Sequence, residues 1–130
     1  MASIRKEVHI DAPVEQVWDA LRDVGALHTR LVPGFVTGTR MDGNARIVTF
    51  GNGKTAREDI VSVDDEHRRL IWAIVGQQFH HYQGTATVEP AEPGSRFVWI
   101  VDLLPDELAP NVDAMMTSAL AILKQTQERR

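Results

Sequence analysis

Apolar and polar residues alternate loosely from Ser3 to Ile10, with Ile4, Val8 and Ile10 on one side and Arg5, Glu7 and His9 on the other. That two-residue period predicts a half-buried strand. It breaks at Asp11-Ala12-Pro13, where Pro13 suits a first helical turn and Glu15 complements the helix dipole. Val14, Val17, Trp18 and Leu21 then recur at helical spacing. A second short helical turn is expected from Val24 to Leu31, ending before Pro33-Gly34.

From Phe35 to Leu104 the pattern becomes a run of strands divided by turn signals: Asp42-Gly43-Asn44, Gly51-Asn52-Gly53, Asp64-Asp65-Glu66, Gly76-Gln77-Gln78 and Pro90 to Gly94. Asn52-Gly53 is the firmest, since both residue types tolerate the positive φ of a tight hairpin. Spacings of roughly 8–12 residues with no helix between them predict antiparallel neighbours, and sequential strands usually pair. With the first strand, seven strands are expected in a meander. After Pro105, Leu108, Val112, Met115, Ala119 and Ile122 mark one apolar helical stripe, widened by Met116, Leu120 and Leu123. Pro110 should kink or restart that helix in its first turns. A helix of about 20 residues spans about 30 Å, so it can lie along the sheet and cover it. The predicted order is β-α-α-β6-α, an α+β domain over residues 1–130, with no repeat or linker to divide it.

Composition narrows the function. Fourteen Lys and Arg stand against eighteen Asp and Glu, a formal net charge of -4. The basic residues are scattered, and the terminal pair Arg129-Arg130 follows Glu128, so no nucleic-acid partner is expected. No apolar run is long enough for a membrane span. The N-terminal MASIRKEVHI lacks the apolar stretch of a secretion signal, so a cytoplasmic location is the expectation. The absence of cysteine excludes disulfides, thiolate ligands and cysteine nucleophiles.

Specific residues along these elements resemble the START-like superfamily of polyketide cyclases, birch-pollen-allergen-type proteins and abscisic acid receptors. Ile10-Asp11-Ala12-Pro13, then Val17-Trp18 and Leu21, is similar to that group's opening. Arg57-Glu58 leading to Val63-Asp64-Asp65, Ile74-Val75-Gly76 at the end of a strand, Tyr82 in the next, and the C-terminal helix extend the likeness over nearly the whole chain. The resemblance implies a helix-grip fold, a curved seven-stranded antiparallel sheet wrapped around the last helix with a cavity between them. It also implies that Glu58, Ile60, Trp72, Ile74 and Tyr82 point inward, together with Phe97, Trp99 and Val101. Strand alternation adds Arg46, Val48 and Phe50, and also His80, Gly84 and Ala86. From the helix, Val112, Met115, Met116 and Ala119 should close the pocket.

Chemistry in such a pocket rests on few groups. Glu58 on an inward position is costly unless paired, and Arg46 lies close to opposite across the Asn52-Gly53 hairpin. The pair serves either as an anchor for a ligand carbonyl, hydroxyl or carboxylate, or as a brace within the sheet. His28, His80, His81 and Tyr82 form a second group. His80 with Tyr82 and Glu58 are the candidates for acid–base catalysis, although His80 and His81 diverge in a strand and at most one can face inward.

The five histidines lack metal-ligand spacing, so no metal is expected. No cofactor is expected either. Gly51-Asn52-Gly53-Lys54-Thr55 ends like a phosphate-binding loop, but Val48 stands where that loop needs glycine. On simple alternation Val61, Val63, Val98 and Ile100 face outward, a patch that suits a homodimer. Three functions follow: a carrier for a small hydrophobic molecule, a cyclase- or dehydratase-like enzyme, or a partner-binding module with a filled core.

Overall fold

The computed structural model describes residues 1–129, so Arg130 of the terminal pair lies outside the described residues. Seven strands form one antiparallel sheet: β1 (Ala2–Ile10), β2 (Val36–Asp42), β3 (Ala45–Phe50), β4 (Thr55–Asp64), β5 (Arg69–Ile74), β6 (His81–Pro90) and β7 (Ser95–Leu104). Their spatial order is β1-β7-β6-β5-β4-β3-β2. Strands β2 to β7 thus meander, and β1 joins the far edge through nine consecutive pairs from Ala2↔Leu103 to Ile10↔Ser95.

Two helices face this sheet. Helix α1 (Val14–Arg22) starts immediately after Pro13, which stands in extended conformation as its N-cap. A 3-10 turn at Val24–Ala26 and a π-helical turn at Leu27–Leu31 follow it. Helix α2 runs from Ala109 to Glu128, preceded by a 3-10 turn at Asp106–Leu108. Pro110 sits in the first turn of α2, where its missing N–H has no intrahelical partner to lose, so it starts the helix without breaking it.

One end of the sheet is closed. There Ile10, Val17, Leu70 and Val88 are buried with Leu120 of α2. Polar bonds lock the elements that cover them. Gln127 is fully buried and its Nε2 donates to the Arg30 carbonyl at 2.7 Å, while Gln16 Nε2 donates to the Gln127 carbonyl at 2.8 Å. Trp18 Nε1 donates to Asp65 at 3.0 Å, and Ser95 Oγ to the Ala12 carbonyl at 3.1 Å. Buried polar groups are costly unless satisfied in this way.

Strand β4 departs from simple alternation. Its register with β5 passes from Ile60↔Trp72 to Ser62↔Ile71, leaving Val61 as the extra residue of a bulge. Val61 is 57% exposed and Val63 40%, although beyond the bulge Val63 pairs with the buried Leu70. On β7, Val98 is only 9% exposed, and β5 and β6 separate it from β4. The four residues expected to make an outward apolar patch therefore do not form one. None of the helices among the described residues is long and apolar enough to cross a membrane.

Candidate functional site

The opposite end of the sheet is open. Between α2 and the concave faces of β3 to β7 lies a cavity of about 900 Å³. Its mouth passes between the N-terminal half of α2, where Asn111, Ala114 and Ser118 are both exposed and lining, and three segments at the sheet's free end: Pro33 to Val36, Gly51 to Thr55, and Gln77 to Phe79. These segments are stitched together, the third by Gln77 Nε2 donating to the Thr55 carbonyl at 2.8 Å. The Gly51 N–H donates to the Phe35 carbonyl at 3.0 Å, and a Cβ at Gly51 would stand 2.7 Å from the Gly34 carbonyl oxygen. Only glycine permits that approach. In the same turn Gly53 has φ +87°, and Asn52 instead accepts from the Lys54 N–H through Oδ1 at 2.9 Å. The connection is a loop held by its own side chain, longer than a two-residue hairpin.

At the floor, Arg46 and Glu58 stand directly opposite on β3 and β4. Arg46 Nε donates to Glu58 Oε1 at 2.8 Å, and its Nη1 donates to the Val24 carbonyl at 3.3 Å. Arg46 is 3% exposed and Glu58 7%. The guanidinium also lies 5.7 Å from the Trp72 ring centroid, a cation–π distance that lowers the cost of burying it. Trp72 in turn lies over Gly84, its partner on β6, where a Cβ would come within 2.5 Å of the indole. The missing side chain lets the indole lie flat on the sheet, which leaves room above it. Trp99 packs beside Trp72 with ring centroids 6.1 Å apart. Its Nε1 is buried without a hydrogen-bond partner.

Tyr82 borders the same floor and is 3% exposed. Burial pushes its phenol well above the usual tyrosine range; the negative charge of Glu58 adds to the rise and Arg46 offsets part of it. The hydroxyl is thus a neutral donor and acceptor, not a phenolate, and it makes no hydrogen bond among the described residues, while its place on the cavity wall leaves it reachable. Phe79 packs against the Tyr82 ring at 4.9 Å.

Of the residues expected at the site, Arg46, Phe50, Glu58, Trp72, Ile74, Tyr82, Trp99, Val112, Met115 and Ala119 line the cavity. Val48 and Met116 do not, because both are completely covered within the core. Met116 lies one position round the helix from Met115, on the stripe that continues to Leu120 and Leu123. Ile60 is half-buried beside the β4 bulge and also stays off the cavity wall.

His80 requires a correction. Strand β6 begins at His81, so the alternation that orients Tyr82 does not extend back to residue 80. His80 sits in a bend, its backbone N–H donating to Leu104 at 2.9 Å and its side chain exposed. Phe79 takes the wall position instead. His28 bonds Thr39 through Nδ1 at 3.0 Å, and none of the five histidines lines the cavity. Among the described residues no group of three or more His, Cys, Asp or Glu is placed to hold a metal ion.

Several lining residues lie where alternation has no hold. Leu27, Leu31 and Val32 come from the short helical turns, and Asn111 and Ser118 from the polar side of the α2 stripe. The sequence signal that does exist is the glycine pair Gly51 and Gly84, each marking a close approach next to the cavity.

A family model described as polyketide cyclase / dehydrase and lipid transport matches residues 1–128. No protein of curated function matches the chain. Similar solved structures include XoxI from Bacillus cereus, 22% identical with a TM-score of 0.85, the match covering 98% of this chain and 96% of that one. Norcoclaurine synthase from Thalictrum flavum, solved with dopamine and hydroxybenzaldehyde, is 20% identical with a TM-score of 0.71, covering 98% and 84%. A START superfamily protein from Mycobacterium smegmatis is 13% identical with a TM-score of 0.72, covering 98% and 95%. At these identities the likeness concerns the fold.

Proposed function

The chain belongs to the polyketide cyclase / dehydrase and lipid transport family, with the START-like helix-grip fold, and on that premise we propose that it binds or carries a small, largely hydrophobic molecule in its internal cavity. The observation that carries this reading is the cavity itself, about 900 Å³ with mostly aromatic and aliphatic walls, a polar rim, and Arg46, Glu58 and Tyr82 at the floor. Ligand sites generally combine an apolar lining with a few placed polar groups. Met115 at the mouth suits such a role, because a flexible thioether adapts to varied shapes.

Acid–base catalysis is the second reading, and Glu58 with Tyr82 at one floor is the observation in its favour. It has lost the histidines, so any proton transfer would fall to a carboxylate and a neutral phenol. A partner-binding module would need a filled core, which the open end speaks against.

Native mass spectrometry of the purified protein, followed by denaturation and analysis of released small molecules, tests the reading. One apolar compound per chain is expected. If the protein is empty, one equivalent of an added neutral apolar probe should bind. A protein that is empty and takes up no such probe would overturn it.

A further inference from the structure

Charge balance at the cavity floor restricts what can bind there. Three charged residues line the cavity: Arg46, Glu58 and Lys54. Lys54 is exposed at the rim, so water already solvates it. Arg46 and Glu58 are buried and paired at 2.8 Å, so the floor carries one charge of each sign and a net charge of zero.

A carboxylate pushed to that floor would meet a guanidinium whose charge Glu58 already balances, with Nη2 free to donate, but it would also stand beside the second oxygen of Glu58, which has the same sign. A cation would meet Arg46, which already occupies the face of Trp72. Either would be a third, unmatched charge in a site shielded from water, a costly arrangement. A neutral polar group meets the opposite situation. The second oxygen of Glu58 can accept, and the Tyr82 hydroxyl, which has no hydrogen-bond partner among the described residues, can donate or accept. The buried, unpartnered Nε1–H of Trp99 on the same wall can donate to such a group, and supplying a partner to a buried, unmatched donor is favourable.

We propose that the ligand is uncharged and presents a hydroxyl or carbonyl to the Glu58–Tyr82 floor, and that the Arg46–Glu58 pair is the specificity device that turns carboxylates away. This rests on the cavity-binding function proposed above. The pair is then both a brace between β3 and β4 and a filter, because Glu58 already balances the arginine's charge and repels a second carboxylate placed beside it.

Displacement titrations separate the two claims. The wild-type protein is loaded with the neutral fluorophore phenylnaphthylamine, and then titrated with a naphthol and with the matching naphthoate at neutral pH. The naphthol is expected to displace the probe at least tenfold more tightly than the naphthoate. In Glu58→Gln the floor becomes net positive, so the naphthoate should gain and the ratio should narrow or invert. Equal wild-type affinities overturn the inference and leave cavity binding intact, as does a naphthoate affinity indifferent to Glu58→Gln. The wild-type ratio decides even if the variant fails to fold. If phenylnaphthylamine itself does not bind, the cavity reading fails and this inference falls with it.

Discussion

The two ends of one concave sheet face have opposite interiors. At the end under α1, Leu70 and Val88 are completely covered, and Gln127 and Ser95 are locked by side-chain bonds to neighbouring carbonyls. At the other end, on the same strands, Trp72, Ile74 and Tyr82 look into about 900 Å³ of open space. Residue hydrophobicity does not separate them. The difference lies in coverage and in small side chains. Helix α1 caps one end, while at the other α2 presents Ala114, Ser118 and Ala119, and Gly84 lets an indole lie flat. One end makes stability and the other is free to be used.

Substitutions can sharpen or break that contrast. The largest effect is expected for Glu58→Leu, which strands the buried Arg46 charge and should cost roughly 3–5 kcal/mol in urea unfolding. Pairing it with Arg46→Met should recover most of that loss. A double variant as unstable as the single one would mean the pair itself, not the stranded charge, matters. Next, Leu70→Ala should cost about 2–5 kcal/mol because it hollows a filled region. Met115→Ala borders space already open and should cost less than about 1 kcal/mol. Equal losses would show that the two ends are packed alike.

Gly84→Ala should cost about 1–3 kcal/mol by driving the new methyl against Trp72, and it should weaken probe binding as the indole lifts into the cavity. The smallest effect concerns pH. Tyr82 is the chain's single tyrosine, and its phenol is held above the ordinary value. The unfolded chain therefore loses that proton first, so stability is full below about pH 10 and falls above it, by at most about 1.4 kcal/mol per pH unit. Tyr82→Phe should remove this decline. A tyrosinate absorption band rising at the ordinary pH in the folded protein would contradict the burial.

Much of this contrast was readable from residue order. Turn signals at Gly43, Gly53 and Gly94 placed the hairpins, and counting outward from Asn52-Gly53 brought Arg46 and Glu58 together. The family resemblance oriented Trp72, Ile74 and Tyr82, and alternation oriented Arg46 and Phe50, because each lies within a regular strand. It failed at His80, one residue before β6 begins, where no ladder imposes a side. It also missed the register change on β4, where Val61 is exposed as expected but the bulge pairs Val63 with Leu70, since a bulge inserts a residue without a distinctive signature. The mouth was hidden for a related reason. Asn111 and Ser118 look like the solvated side of an amphipathic helix, and only the distance of the loops from α2 makes that side a wall.

The most direct test is a crystal structure determined with phenylnaphthylamine. One probe per chain is expected, its rings between Trp72, Tyr82 and Met115, with the packing around Leu70 and Val88 undisturbed. Trp72, Trp99 and Met115 collapsed against one another, with no space between them and no probe inside, would contradict the cavity reading.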